Sequence, residues 1–389
     1  MTKIDRVLRE AVDAGAVPGV VAMAATADGV VYQGAYGRRS IADGPPMTLD
    51  TVFRIASMTK AVTATAAMQL VEQGRLSLDE PAGEIVPELA APQVLEGFDA
   101  GGTPLLRPAR GTITLRRLLT HTAGFGYDIW NADLLRYHRD TGLPPARTGK
   151  LASLGAPLTF DPGTRWHYGI NIDWAGRMVE AVSGLDLETY FQTHIFAPLG
   201  MSDTSYLMRP HMEPRLATVY ARTAYGLEAL QLDPNPPREF FPGGGGLYAT
   251  GGDYLTFLRM LLAGGTLNGA TILRRETVAE MAQNHIGPLL VEPLRSVVTA
   301  SSHDVELFPG SPKKWGLSFL INTEPVRGGR AAGSLAWAGL YNTYFWLDPT
   351  AGVTAVMLTQ ILPCGDRVVL DLLNRFETNL YAGLTAGHI

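Results

Sequence analysis

Ser57-Met58-Thr59-Lys60 opens a segment, Met58 to Gln73, that holds no glycine or proline and stops at Gly74. Helix-forming residues closed by a glycine predict a helix that begins at about Ser57. Residues three apart on a helix are surface neighbours, which sets the Lys60 amine beside the Ser57 hydroxyl. An amine in that place can activate a serine nucleophile without a histidine. Ala61, Ala64, Met68 and Val71 fall on the face of the Ser57/Lys60 pair at helical spacing.

Two plainer explanations compete. Serine is a preferred helix cap, so Ser57 could simply start the helix. A plain cap favours acidic residues in the first turn, where the helix dipole is positive. Lys60 stands there instead, and an ammonium at that end is expected to lose basicity, as a lysine base requires. The same helix end offers backbone N–H groups to a developing oxyanion. The second explanation is chance, because Ser311-Pro312-Lys313-Lys314 repeats the spacing. That copy follows Pro309-Gly310 and contains a proline of its own, so it reads as a loop with no helix to fix the geometry.

The chain has 389 residues, 46% of them hydrophobic, enough for a large core and two lobes. Charged residues are 18% and the net charge is −5, which leaves no basic surface for nucleic acid and no polybasic membrane patch. The single cysteine, Cys364, excludes an internal disulfide and a cysteine-rich metal site. The histidines show no metal-ligand spacing, so neither a metal nor another cofactor is expected. Ile4, Val7, Leu8, Ala11 and Val12 trace an amphipathic stripe rather than a secretory segment. No apolar run approaches the ~18 residues of a membrane span. These features lead to the expectation of a soluble cytoplasmic protein, monomer or homodimer, whose partner is a small molecule.

Along the chain, a helix over about 3–14 is followed by an apolar run, Val20 to Ala25, the hairpin signal Asp28-Gly29, and a second strand, Val30 to Tyr36. From Asp79 to about Phe240 loops and helices dominate, with no strand series. They include a compact helix from Thr114 towards Gly124 and another from Asn171 or Asp173 to Val182. Pro242-Gly243-Gly244-Gly245-Gly246 lacks the lysine of a phosphate loop and reads as backbone permissiveness. Helices are expected at about 252–263, 275–283 and 366–380, and strands at 315–321, 334–337, 343–347 and 353–362. Short strands at hairpin spacing predict an antiparallel sheet that both termini complete. The expected architecture is α/β of the α+β type. Residues 1–80 and 241–389 form the sheet domain flanked by helices, 81–240 a mainly helical second lobe, and the active site lies at their interface.

Three further segments bear on the Ser57/Lys60 pair: Leu118-Leu119-Thr120-His121-Thr122-Ala123-Gly124-Phe125, Asp161-Pro162-Gly163-Thr164-Arg165-Trp166-His167-Tyr168, and Trp337-Ala338-Gly339-Leu340-Tyr341-Asn342. In this order and spacing the chain resembles the serine β-lactamase and penicillin-binding-protein-like superfamily, and within it the class C-like carboxylesterases of family VIII. The resemblance runs from about Val17 to Leu380 and implies a β-lactamase/DD-peptidase-like fold. It implies that Ser57 is the acylated nucleophile and that Lys60 and Tyr168 share the roles of general base and acid. The oxyanion hole would be the backbone N–H groups of Ser57 and Leu340. A tyrosine of pKa about 10 is a poor base unless a cation favours its phenolate. Lys60 could supply that charge or take the proton itself.

Two departures shape the expected substrate. The strand motif reads Trp337-Ala338-Gly339 where β-lactamases and DD-peptidases carry Lys-Thr-Gly, so the cation that meets a substrate carboxylate is missing. The Tyr-x-Asn pattern appears as Tyr168-Gly169-Ile170, and only Asn171 next door is placed to compensate. Both changes favour neutral short-to-medium acyl esters, hydrolysed by a serine carboxylesterase. The alternatives are a β-lactamase, amidase or D-peptidase on the same scaffold, or a non-catalytic binding protein. Trp337 and Gly339 on the strand motif, and Phe125, Tyr127 and Trp130 in the loop after His121, are the candidate substrate-binding residues. His121 lacks a Gly-x-Ser-x-Gly partner and reads as structural. His167 should point away from Tyr168 if that stretch is extended.

Overall fold

Thr2 caps the first helix, Lys3–Asp13, in a capping box with Asp5, and the helix buries Ile4, Val7, Leu8 and Ala11. The computed structural model, which describes residues 2–42 and 44–387, packs this stripe on a seven-stranded antiparallel sheet. From one edge the strands run Lys313–Trp315, Leu320–Asn322, Leu335–Gly339, Thr343–Asp348, Val353–Leu358, Gly19–Thr26 and Val30–Gly37. The N-terminal hairpin pairs with a C-terminal strand in the register Val21 to Leu358 and Thr26 to Val353. Both termini therefore complete one sheet, as the hairpin spacing predicts.

Strand alternation divides the core. Val20, Ala22 and Ala24, with Trp346, Ala355 and Met357, face the Lys3–Asp13 and Arg367–Thr385 helices. Val21, Met23 and Ala25, with Phe345, Val356 and Leu358, face a larger core that holds the Gly251–Leu262 and Thr59–Glu72 helices. The latter helix is buried on every side from Thr59 to Met68. The expected single apolar face is thus corrected: the helix lies between the sheet and the Asn171–Ser183 helix that packs against it.

Three expected elements differ. Residues 315–321 are not one strand: Lys313–Trp315 and Leu320–Asn322 pair with each other, and Ser318, at φ 75°, makes the turn between them. The strand expected at 353–362 ends at Leu358, and Ile361–Leu362 leaves the sheet to pair in parallel with Tyr220 and Ala221. The segment 81–240 is rich in helices, yet it holds two hairpins, Gln93–Phe98 with Pro104–Pro108 and Tyr220–Thr223 with Gly226–Ala229. Their outer strands are half exposed and lack the apolar alternation that reveals a buried strand. Among the described residues, no helix is long and apolar enough to cross a membrane.

One glycine joins the sheet to the Ser57 segment. The Leu335–Gly339 strand ends against the turn that carries Ser57. A Cβ on Gly339 would stand 2.2 Å from Thr343 Oγ1 and 2.3 Å from the Ile55 carbonyl. Only the absence of a side chain lets these backbones meet. Gly339→Ala is therefore expected to lower stability by about 1–3 kcal/mol through overpacking, read as a lower urea midpoint.

Candidate active site

Ala56–Met58 form a single 3-10 turn and the α-helix begins at Thr59. Met58 takes the cap position, and no side chain caps this helix, so Ser57 is not its N-cap. Ala56 sits at φ 44°, a left-handed conformation uncommon outside glycine, directly before Ser57. The turn leaves the Ser57 hydroxyl 3.2 Å from Lys60 Nζ.

The Lys60 side chain is 1% exposed. Besides Ser57, Nζ reaches the Tyr127 hydroxyl at 3.1 Å and the Gly244 carbonyl at 2.6 Å. All three partners are neutral. Burial pushes the amine down to about 7, and the charge of Asp173 opposes that push. The loss of basicity expected from the helix end thus comes chiefly from desolvation. As a neutral amine, Lys60 keeps two N–H groups for Tyr127 and Gly244 and one lone pair for the Ser57 proton.

Tyr168 is buried with its ring 4.7 Å from Lys60 Nζ, and Trp337 Nε1 donates to its hydroxyl at 2.9 Å. Burial pushes this phenol well above its ordinary range, while contact with Ser57 and Trp337 draws it part of the way back. Its phenolate is therefore the harder species to form, and Lys60 is the better base of the two. Tyr168 is walled in by aromatic rings: Tyr127 at 5.3 Å, Trp130 at 5.5 Å, Trp337 at 4.8 Å and His121 at 4.7 Å.

A cavity of about 280 Å³ opens beside Ser57, and Leu340, Tyr127, Trp130, Leu247 and Tyr248 are among its lining residues. Ser57 and Leu340, the two residues to which the resemblance assigns the oxyanion hole, share this wall. The site draws Ser57 and Lys60 from the N-terminal part of the chain, Tyr127 and Tyr168 from the middle, and Gly244 and Leu340 from the C-terminal part.

Several sequence expectations need correction. Phe125 does not line the cavity. It is buried against Trp174 at 6.0 Å, because the segment after His121 runs through the core rather than over the surface. Trp337 is also turned inward, away from the cavity lining, and braces Tyr168 through its N–H. Gly339 supports the wall from behind, through its contact with Ile55. Asn171 does not reach the site: its amide donates to His121 Nδ1 at 3.0 Å and to the Phe125 carbonyl at 3.2 Å. His121 is a buried neutral imidazole, held well below its ordinary pKa by burial, and serves as scaffold. His167 turns its ring to Phe160, and burial lowers it to about 4. In the second Ser-x-x-Lys match, Ser311 Oγ bonds Glu324 while Lys314 Nζ bonds the carbonyls of Gly287 and Leu289. The matching spacing there brings nothing together.

The sequence reading missed the role of the glycine run. A Cβ on Gly243 would lie 2.4 Å from the Ile172 carbonyl, and one on Gly244 would lie 2.9 Å from both Asp173 Oδ2 and the Tyr127 hydroxyl. Gly243 and Gly244 thread a slot too narrow for side chains, and Gly244 delivers the carbonyl that holds Lys60. Its signal was the unbroken glycines themselves, read as permissiveness rather than as close approach.

Comparison with known proteins agrees with this geometry. The family model described as Beta-lactamase matches residues 4–379. Monacolin J acid methylbutanoyltransferase of Aspergillus terreus is 36% identical, over 99% of this chain and 96% of that protein. Lovastatin esterase of Penicillium rubens is 33% identical, over 98% of this chain and 99% of that protein. A mutant simvastatin synthase from Aspergillus terreus superposes with a TM-score of 0.86 at 33% identity, covering 98% of this chain and 97% of that one. EstCE1, described as a hydrolase with promiscuous acyltransferase activity, gives 0.75 at 25% identity, covering 96% and 97%. With the family model spanning nearly its whole length, and relatives above 30% identity covering almost all of it, the chain belongs to the Beta-lactamase family.

Proposed function

We propose that this protein is a serine carboxylesterase with acyl-transfer capacity, moving the acyl group of an ester to Ser57 Oγ and then to water or an alcohol. The observation that carries this reading is the fully desolvated Lys60 amine, 3.2 Å from Ser57 Oγ and brought down to about 7. Lys60 takes the Ser57 proton as Oγ attacks the acyl carbon. The oxyanion that forms is held by the backbone N–H groups of Ser57 and Leu340. The proton then passes to the leaving alkoxide, with Tyr168 as carrier, and the second half-reaction runs the same steps in reverse with water or alcohol as nucleophile. Trp337 at the strand position that would otherwise hold a cationic anchor favours neutral acyl esters over β-lactams and peptides. The names of the relatives, an esterase and a methylbutanoyltransferase, support ester chemistry.

A second feature bears on the alcohol side. Arg54 and Arg238 line the cavity. Arg54 bonds the Tyr248 hydroxyl and the Leu232 and Asp233 carbonyls, and Arg238 bonds the Pro236 and Tyr206 carbonyls. Among the described residues neither forms a salt bridge with a carboxylate. An acid group on the alcohol portion of the substrate would meet both cations, in keeping with the acid named as acyl acceptor for the Aspergillus relative.

The wild type should hydrolyse p-nitrophenyl butyrate in preference to nitrocefin and show a fluorophosphonate adduct on Ser57 by intact mass. Ser57→Ala should lose the activity and the adduct while its circular dichroism is unchanged. Persistent ester hydrolysis in that variant would reject the nucleophile. Since Lys60 must be neutral to act, kcat/KM should rise with pH around a midpoint of about 7. Lys60→Arg, which cannot lose its proton, should abolish the rise and the activity. Given two esters that differ only in a free or a methylated carboxylate on the alcohol portion, the acid should be favoured about fivefold, near the ~1 kcal/mol of a half-exposed pair. Arg54→Met should erase that preference, and equal rates in the wild type would reject an acid-bearing alcohol.

A further inference from the structure

When Lys60 takes the Ser57 proton it becomes an ammonium buried among neutral acceptors: the Ser57 and Tyr127 oxygens and the Gly244 carbonyl. A buried charge with no counter-charge is costly, so the site needs an anion. The Tyr-x-Asn position holds Ile170, and Asn171 is committed to His121 and the Phe125 carbonyl. One residue further along the helix than Ile172, Asp173 is 3% exposed and lines the catalytic cavity. Its Oδ1 accepts the Gly244 N–H at 2.8 Å. Gly244 is thus held at both backbone polar atoms, the N–H by Asp173 and the carbonyl by Lys60, in a slot with no room for a side chain.

We infer that Asp173 is a positioning residue that aligns Lys60 through the backbone of Gly244 and supplies the counter-charge for the ammonium formed as Ser57 is deprotonated. The inference rests on the reading of Lys60 as the base for Ser57. In the step itself the proton moves from Ser57 Oγ to Nζ, the Oγ–C bond forms, and the carbonyl electron pair moves to the oxyanion. Asp173 neither gives nor takes a proton in this step; burial pushes its carboxyl up, and the Lys60 charge and the Gly244 N–H draw it back, so the ammonium that forms is what favours the carboxylate. The other titratable groups facing Lys60 are Tyr127, Tyr168 and His121, all neutral: burial holds both phenols up and the imidazole down. Tyr127, Tyr206 and Tyr168 are the phenols that feel Asp173, and all three are pushed up by burial and by its charge. Among the described residues, Asp173 is the carboxylate whose charge acts on Lys60.

Asp173→Asn keeps an oxygen for the Gly244 N–H and removes the charge. A carboxylate favours the ammonium, so without it Lys60 gives up its proton at lower pH. The midpoint of kcat/KM against pH for p-nitrophenyl butyrate should fall by at least about one unit, with roughly a tenfold lower plateau. Asp173→Glu should lose rate in the tight slot yet keep the wild-type midpoint. A midpoint unchanged in Asp173→Asn, or shifted alike in both variants, would overturn the proposal. Should Asp173→Asn fail to fold, the stability of Lys60→Met is compared with that of Lys60→Met/Asp173→Asn. Removing Lys60 strands the carboxylate, so the second change should restore stability, and additive losses would overturn the pairing. Fluorophosphonate labelling of the wild type runs alongside. No adduct would reject the acyl-enzyme reading itself, whereas an adduct with an unshifted profile rejects only the role of Asp173.

Discussion

Removing one amine from water sets the terms for the rest of this molecule. Lys60 is the second residue of a helix that is buried on all sides, and no acidic side chain forms a salt bridge with it among the described residues. Desolvation alone would make it a weak base with no fixed direction. Its three hydrogen-bonding contacts give it one, because two of them hold the amine and the third is the hydroxyl to be activated. The neighbouring elements supply those contacts: a glycine run that brings in a carbonyl, a loop that brings in Tyr127, and a strained turn that presents Ser57.

The aromatic wall around Tyr168 does a different job. Trp337 and His121 tilt against it at 4.8 and 4.7 Å, Trp166 lies nearly parallel to it at 6.5 Å, and Trp315 packs behind them against all three. Such rings fix position with little loss of rotamer freedom. A tryptophan in place of a strand cation therefore changes two properties together: the position carries no charge, and it gains an N–H that orients the tyrosine.

Much of this was legible in the sequence, and the exceptions have physical causes. Periodicity revealed the helices and the sheet that joins the two termini, because the central strands of that sheet are buried on both faces and largely apolar. The polar hairpins of the middle segment escaped because half-exposed strands carry no such pattern. The contact between Ser57 and Lys60 was legible from spacing, since an i,i+3 pair is local, and Tyr168 entered through the resemblance. Gly244 and Asp173 were not, because they meet Lys60 only through tertiary packing, and a buried acid on a helix looks in sequence like any solvated one. Phe125 and Trp337 were misplaced for the complementary reason: spacing locates a side chain along the chain and says nothing of whether it turns inward.

The pairing of the first hairpin with a strand near the end of the chain has a consequence for how the protein comes into being. Ser57 and Lys60 are made well before Leu340 and the strand that backs it. The Gly19–Thr26 strand cannot find its neighbour Val353–Leu358 until that later segment is made. Contacts so far apart in sequence form late and slowly. A nascent chain therefore carries Ser57 and Lys60 before it has the sheet that completes the pocket, and the wall that Ser57 shares with Leu340 exists only once the later strands pair with the first.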